Sequence, residues 1–325
     1  MSVLLSVRDL SIRIGAATPV DNVSFDVKSG EMLGIVGESG SGKSLSLRAL
    51  LQLLPPQAST GGTAVWQGRD LLGMAPADIR RVRGREIAMI FQEPMTALDP
   101  VLTIGKQIVE SLDVHLGLRG AVARKRAVEL LDLVGIPDAK RRLGNYPHEF
   151  SGGMRQRAMI AIALAAEPKL LLADEPTTAL DVTIQDQILA LLLRLKDELA
   201  MSVILVTHDL GIVAGTCDRV AVMYAGRIME SGPVYPVFRT PAHAYTLGLM
   251  RSVPDRAHAR QPLAFIPGTP PDPGAMPPGC RFAPRCGFAA AMCSAAPPPL
   301  ADIGEDHQSS CLRAEDVGRV VREAA

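Results

Sequence analysis

The stretch Gly37-Glu38-Ser39-Gly40-Ser41-Gly42-Lys43-Ser44 has the spacing G-x-x-x-x-G-K-S. The apolar run Leu33–Val36 before it predicts a buried strand, and residues 45–54 after it predict a helix that two prolines end. Glycines let the amides of such a loop converge on phosphate oxygens, towards which the following helix points its positive end. We therefore expect an α/β fold around a phosphate-binding loop, in which Lys43 pairs with the β- and γ-phosphates and Ser44 binds Mg²⁺.

The composition indicates an ordinary globular protein. Of its residues, 47% are hydrophobic and 21% are charged. The length of 325 residues is enough for two domains or for one large domain with an appendage. Lys and Arg together number 34, as do Asp and Glu, so the net charge of zero gives no support for a nucleic-acid binder. The start of the chain is soon charged and predicts no signal peptide, and the longest uncharged apolar run, Ala158–Ala166, is far too short to span a membrane. We expect a soluble or peripheral protein.

Polar residues follow three further predicted strands. Asp174 and Glu175 end the mostly apolar run 169–173, Gln92 follows residues 87–91, and His208 lies two positions after residues 203–206. Ligands of an open parallel sheet bind at the edge where the strands end. We therefore expect Asp174 to hold Mg²⁺ through water, Glu175 to polarise a water for attack on the γ-phosphate, and Gln92 to reach Mg²⁺ or that water.

A second anion site is predicted in the helix-rich region of residues 102–166. In Ser151-Gly152-Gly153-Met154, the serine occupies a helix N-cap position and two glycines follow in the first turn. Each glycine costs a helix roughly 1 kcal/mol relative to alanine. Close approach of a ligand to the exposed amides of this turn would explain why the cost is tolerated.

These motifs, in this order, resemble those of an ATP-binding cassette (ABC) ATPase over residues 1 to about 235. The resemblance implies a P-loop NTPase (RecA-like) α/β fold with an antiparallel β subdomain and an α-helical subdomain at about 95–165. It implies that His208 is the switch histidine and Glu175 the catalytic glutamate, and Ile14 stands near the position of an adenine-stacking aromatic residue. The other residues implied to contact ATP or Mg²⁺ are Gly37, Glu38, Ser39, Gly40, Ser41, Gly42, Lys43 and Ser44 (Walker A), Gln92 (Q-loop), Ser151, Gly152, Gly153 and Met154 (signature), Asp174 (Walker B) and Asp181 (D-loop, Ala179-Leu180-Asp181).

A finer resemblance is to the ATPases of oligopeptide, dipeptide and nickel importers, in particular the D-type ATPase of dipeptide importers. It rests on Phe91-Gln92-Glu93-Pro94-Met95, on residues 146–157, and on Ile266-Pro267-Gly268 and residues 279–286 in a late Pro- and Cys-rich segment. It implies an ATP-binding domain over residues 1–238 and a C-terminal extension over 239–325. The implied function is ATP-driven uptake of dipeptides or oligopeptides, with nickel or glutathione as other possible cargoes.

Four cysteines lie in this extension, with the spacing C-x5-C-x6-C-x17-C: Cys280, Cys286, Cys293 and Cys311. A cysteine-poor cytoplasmic chain argues against disulfides, whereas four thiolates suit a [4Fe–4S] cluster or structural Zn²⁺. The spacing lacks the C-x2-C pairs usual in zinc sites and so favours iron and sulfur, as some members of the resembled family have. Free buried thiols are the alternative.

The resemblance also implies partners. Two cassettes form a head-to-tail dimer with ATP between one chain's P-loop and the other's signature, and the second chain is often a related but distinct ATPase. Two membrane permeases complete the transporter at the cytoplasmic face of the inner membrane, served indirectly by a substrate-binding protein; no nucleic acid is implied. A soluble cassette ATPase of DNA repair or translation is the competing interpretation, but the chain has no long coiled-coil insertion and no second cassette. A GTPase would need an Asn-Lys-x-Asp motif, which is absent, and would leave the Ser151–Met154 motif unexplained.

Overall fold

The computed structural model describes residues 2–178, 180–253 and 265–323. The strands are β1 (Val3–Ile14), β2 (Ala17–Lys28), β3 (Met32–Val36), β4 (Ala58–Trp66), β5 (Arg69–Asp70), β6 (Ile87–Ile90), β7 (Leu170–Asp174), β8 (Ser202–Thr207), β9 (Arg219–Tyr224), β10 (Arg227–Pro233), β11 (Ala301–Gly304) and β12 (His307–Ser309). The helices are α1 (Lys43–Leu50), α2 (Pro76–Val82), α3 (Pro94–Ala97), α4 (Ile104–Leu116), α5 (Gly120–Leu133), α6 (Ala139–Arg142), α7 (Gly152–Ala163), α8 (Val182–Glu198), α9 (Leu210–Thr216), α10 (Val234–Arg239), α11 (Ala244–Arg251) and α12 (Ala314–Glu323).

The first strand differs in one detail from what the sequence pattern predicts. The alternation predicts two strands, 3–7 and 10–14, but β1 is continuous and pairs with β4 along its length. The register shifts between Arg8 and Ser11, and Asp9 has a φ of 52°. A β-bulge at this point bends the strand without ending it, which is why the alternation breaks while the strand continues.

The chain divides into two units. The first comprises residues 28–31 and 74–206. In it, β6, β7 and β8 are parallel neighbours in that order, and β7 is buried over its whole length. A central parallel strand buried on both faces needs the continuous apolar sequence that β7 has. Helices α4, α5 and α7 pack on one another, and Arg157 of α7 donates hydrogen bonds to the Val134 carbonyl (2.6 Å) and to Gln187 Oε1 (3.2 Å).

The second unit comprises residues 2–27, 32–73 and 207–323. One antiparallel sheet has the order β2-β1-β4-β5. Separately, β3 runs parallel to β9, and β9, β10, β12 and β11 are successive antiparallel neighbours. Ala225 and Gly226, between β9 and β10, both have positive φ (45° and 84°), which is the geometry of a tight two-residue hairpin.

The C-terminal extension is part of the core of this second unit. Strand β12 adds to β10, and Phe282 packs against Tyr224 and Tyr245 with ring centroids 5.3 Å from each. Val317 of α12 is buried in the same cluster. The extension thus folds on residues of the preceding chain, as expected for a segment that has too few periodic apolar residues to form a core alone.

Candidate functional site

The predicted phosphate-binding loop has a backbone that requires glycine. Gly37, Gly40 and Gly42 have φ values of 154°, 77° and 98°. A Cβ atom on Gly37 would lie 1.9 Å from the Met223 carbonyl oxygen, and one on Gly42 would lie 2.8 Å from that of Pro19. Since α1 begins directly after Gly42, the loop and the helix N-terminus together form a cradle of the kind that binds phosphate.

Lys43 places its positive charge inside this loop. Its ammonium donates hydrogen bonds to the carbonyl oxygens of Gly37 (2.7 Å) and Glu38 (2.9 Å), and Ser41 Oγ lies 3.4 Å away. The residue is only 4% exposed. The Lys43 ammonium and the positive end of the α1 dipole both attract the negative charge of a nucleotide triphosphate.

Gln92 and Glu175, predicted on separate strands of the first unit, meet in the structure. Gln92 Nε2 donates a hydrogen bond to Glu175 Oε2 (3.2 Å), and Thr178 Oγ1 donates to the same oxygen (2.7 Å). Glu175 has a φ of 45°, a left-handed conformation that costs a non-glycine residue about 1–3 kcal/mol, and its amide bonds the Val206 carbonyl (3.0 Å). The carboxylate is therefore held in a defined orientation. Thr178 was missed from the sequence, because a threonine in a turn carries no signal of the oxygen it will bind.

Asp174 is completely buried at the end of β7, as the predicted strand requires. Its carboxylate, the side-chain oxygen of Gln92 and the hydroxyl of Ser44 are oxygen donors, the type that Mg²⁺ prefers. His208 follows β8 and is exposed. The next residue, Asp209, caps α9 by accepting hydrogen bonds from the amides of Gly211 (2.7 Å) and Ile212 (3.3 Å).

The predicted signature begins α7. Ser151 caps the helix by accepting the Met154 amide (3.3 Å), and Asp181 caps α8 by accepting that of Ile184 (2.9 Å). The two helix starts are adjacent, because a Cβ on Gly153 would lie 2.7 Å from Ile184 Cγ2. Gly153 therefore has a packing reason to be glycine in addition to any ligand contact. Of the predicted D-loop, Ala179 lies outside the described residues.

We expect Gly153→Ala to lower the free energy of unfolding by about 1–3 kcal/mol, because the new methyl group overpacks against Ile184. Gly152→Ala is the matched control: its Cβ would lie 3.6 Å from Leu180 Cδ2, an ordinary contact distance. Thermal and urea unfolding of both variants measure the difference. Equal stability of the two would show that the clash is relieved by small movements and does not constrain Gly153.

Comparison with known proteins agrees with the geometry. A family model described as ABC transporter matches residues 20–178, and one described as the C-terminal region of oligopeptide/dipeptide transporters matches residues 229–293. A Brucella abortus protein with the provisional name of a peptide import ATP-binding protein is 52% identical over 313 residues, which cover 95% of this chain and 94% of that protein. The chain belongs to the ABC transporter ATPase family. Its activity is accordingly ATP hydrolysis, and the resemblance predicted from the motifs is confirmed.

Other relatives of this ABC ATPase agree. A peptide ABC transporter ATP-binding protein of Sinorhizobium fredii, also provisionally named, is 52% identical over 97% of this chain and 96% of its own. The solved structure of cbiO1 from Clostridium perfringens, part of the ABC transporter complex cbiONQ, is 28% identical with a TM-score of 0.64, over 73% of this chain and 91% of that one. The cassette MJ0796, solved as a dimer bound to ADP and Pi, is 28% identical with a TM-score of 0.63, over 71% of this chain and 98% of that one. The α/β nucleotide-binding fold predicted from the sequence is thus confirmed. Within the ranges described above, no helix is long and apolar enough to cross a membrane.

The structure gathers the four late cysteines in one region. Cys280, Cys286 and Cys311 all pack against the buried cluster that contains Phe282, and the Cys280 amide donates a hydrogen bond to the Cys293 carbonyl (2.8 Å). Burial raises the pKa of Cys280 and Cys286, and raises that of Cys311 to about 11, although amides such as those of Phe288 and Arg313 hydrogen-bond to the sulfurs. Among the residues with described positions, no three His, Cys, Asp or Glu side chains could hold a metal ion. This geometry therefore does not support the predicted [4Fe–4S] site. Cysteines that pack in one region need not have sulfur atoms close enough to bind the iron of one cluster.

A buried histidine gives the second unit a dependence on pH. His243 is almost completely buried, its Nδ1 accepts the Tyr245 amide (3.0 Å), and burial lowers its pKa to about 4, against the opposing effect of Glu230. A folded-state pKa below the unfolded value means that protonation favours unfolding. Stability from this group is complete above about pH 6.5 and falls as the pH drops towards 4.

We expect this group to remove about 2 kcal/mol from the free energy of unfolding between pH 7 and pH 5. His243→Asn keeps a neutral acceptor at the cap of α11 and should remove that part of the pH dependence. Urea unfolding of both proteins at the two pH values is the measurement. An unchanged slope of stability against pH in the variant would assign the pH dependence to other groups.

Proposed function

We propose that this ABC ATPase drives the import of peptides through partner membrane permeases. The observation that carries the proposal is the match of residues 229–293, which run from β10 into the C-terminal extension, to the C-terminal region of oligopeptide/dipeptide transporters. The extension folds into the same unit as the phosphate-binding loop. The provisional names of the Brucella and Sinorhizobium relatives refer to peptides and support peptide over nickel or glutathione as cargo. We also propose the division into an ATP-binding domain (1–238, with its helical part at about 95–165) and an extension (239–325).

The proposed catalytic roles follow the family pattern. Lys43 and the loop amides hold the triphosphate. Ser44, Gln92 and Asp174 would hold Mg²⁺, which supplies charge stabilisation to the transferring phosphoryl group. Glu175 accepts a proton from the attacking water as a general base. The observed hydrogen bonds from Gln92 and Thr178 support this role, because they orient the carboxylate before substrate arrives.

The remaining roles concern a second cassette. We propose that Ser151, Gly152, Gly153 and Met154 contact the ATP held by a partner chain, with Asp181 nearby and His208 sensing the γ-phosphate. The N-cap at Ser151 and the two glycines of the first turn support this role, because amides at a helix N-terminus bind phosphate groups. The partner in this proposal is a related but distinct ATPase, and the assembly lies at the cytoplasmic face of the inner membrane.

Affinity purification of the tagged full-length protein from its native membranes in mild detergent tests the function. We expect two multispanning permeases and a second cassette ATPase to be recovered with it. Reconstitution of that complex in vesicles, with dipeptide, nickel and glutathione as alternative cargoes, then identifies what is transported. Recovery from the soluble fraction alone with ribosomal or DNA-repair proteins would contradict the transport function but leave the ATPase intact.

The cluster remains a separate and finer proposal. The number of cysteines in the extension and the family resemblance are the grounds for a [4Fe–4S] group, and Zn²⁺ and free thiols are the alternatives. Anaerobic purification followed by iron, zinc and acid-labile sulfide analysis distinguishes the three. Protein without iron, zinc or sulfide would leave four free thiols, of which one is buried and three are partly buried, that contribute packing only.

A further inference from the structure

Glu38, the second residue of the phosphate-binding loop, is held through its backbone and its side chain. Its amide donates a hydrogen bond to Tyr245 Oη (2.9 Å), and its carbonyl accepts one from Lys43 Nζ (2.9 Å). Its carboxylate receives both terminal nitrogens of Arg285, at 2.8 and 3.1 Å. Two of these partners, Tyr245 and Arg285, lie in the extension after residue 238.

The Arg285 guanidinium is fixed from several sides. It also donates hydrogen bonds to the Pro267 carbonyl (2.8 Å) and to Tyr224 Oη (3.2 Å), and it lies over the Tyr224 ring at 5.6 Å. The side chain is 6% exposed, and that of Glu38 is 26% exposed. A bidentate, largely buried arginine–carboxylate pair is far more directional than a surface ion pair. Arg285 can therefore constrain the position of Glu38.

A second arginine of the same segment reaches the support of the loop. Arg281 hydrogen-bonds the Ala225 carbonyl in the β9–β10 turn and pairs with Asp21 (2.5 Å). The next residue of that turn, Gly226, donates its amide to the Ser41 carbonyl in the phosphate-binding loop (2.9 Å). Pro270 and Pro271 of the extension face residues 38–41 across a cavity of about 200 Å³. The extension thus contacts the loop or its support at several separate places.

We propose that Arg285 is a positioning residue for the phosphate-binding loop, so that tight ATP binding by this chain requires the folded C-terminal extension. Arg285 holds the Glu38 carboxylate, and the Glu38 carbonyl in turn helps to hold the Lys43 ammonium. Without this pair, the loop must become ordered when the nucleotide binds, and that ordering is subtracted from affinity. The effect falls on ATP binding and leaves the chemical step unchanged. The proposal rests on the ATPase assignment above.

The test is a double-mutant cycle on the full-length protein, with methylanthraniloyl-ATP as the fluorescent probe. We expect Arg285→Gln and Glu38→Gln each to raise the Kd of the probe about 10-fold, and the double variant to be no weaker than either single variant. For Arg285→Gln, the KM for ATP should rise in parallel while kcat at saturating ATP stays within about 3-fold. Arg285→Lys, which keeps the charge but loses the bidentate geometry, should fall between. Arg319→Gln, which breaks an exposed ion pair in the same extension, is the matched control and should bind like wild type.

The outcomes are distinguishable. If wild type does not bind the probe, the ATPase assignment fails and this proposal fails with it. If wild type binds and Glu38→Gln stays within twofold of it, the proposal alone is wrong. Additive losses in the double variant would also overturn it, since independent effects mean that the pair does not act as a unit. Should Arg285→Gln unfold, as judged by thermal melting, the isosteric Glu38→Gln variant still decides the result.

Discussion

Glu175→Gln should lower kcat for ATP hydrolysis by roughly 10²–10⁴-fold while leaving the affinity for ATP nearly unchanged. The amide keeps the size of the side chain and can still contact Gln92 and Thr178, but it cannot accept a proton from water. Because the backbone at residue 175 is strained whichever side chain is present, the fold should tolerate the change. Steady-state ATPase assays and nucleotide titration on the same preparation separate the two effects.

Glu129→Gln is the control for this experiment, because Glu129 lies on the surface of α5 and pairs with Lys125 and Arg126 of the same helix. Its kcat should equal that of wild type. Near-wild-type hydrolysis by Glu175→Gln would remove Glu175 from the role of general base. The proton would then have to leave through another group, of which His208 is the first to examine by substitution.

Lys43→Met should weaken ATP binding by about 100-fold. Methionine has a similar length and keeps the apolar part of the contact, but it removes the ammonium that donates hydrogen bonds to the carbonyls of Gly37 and Glu38. The variant loses both the charge proposed to pair with the phosphates and the hydrogen bonds inside the loop. Titration with a fluorescent ATP analogue and with ADP measures the loss, which should be larger for the triphosphate.

The matched control is Lys106→Met, at an exposed position on α4, which should bind both nucleotides like wild type. A Lys43→Met protein that melts at the wild-type temperature and still binds ATP within threefold would contradict the role given to Lys43. Equal losses for ATP and ADP would instead place the ammonium away from the γ-phosphate and leave only its hydrogen bonds inside the loop.

Local patterns carried much of the candidate site. The loop at residues 37–44, the cap at Ser151 and the strand that ends at Asp174 depend on neighbours within a few residues, so spacing and residue type are enough to identify them. The bulge at Asp9 shows the limit, because the same break in alternation can end a strand or bend it. The four cysteines show another limit: their spacing indicates a shared region, but coordination depends on sulfur positions that packing decides.

The sequence by itself determined that this protein is a P-loop ATPase of the ABC family, because glycine turns, helix caps and strand-end acids report local chemistry. Only the tertiary structure decided that Glu38 pairs with Arg285, 247 residues away, and that Thr178 and Gln92 share one oxygen of Glu175. A carboxylate and a guanidinium carry no sign of each other in the chain. Their pairing follows from the way in which the extension packs its aromatic residues beside the loop, and packing over such separations is decided only when the whole chain folds.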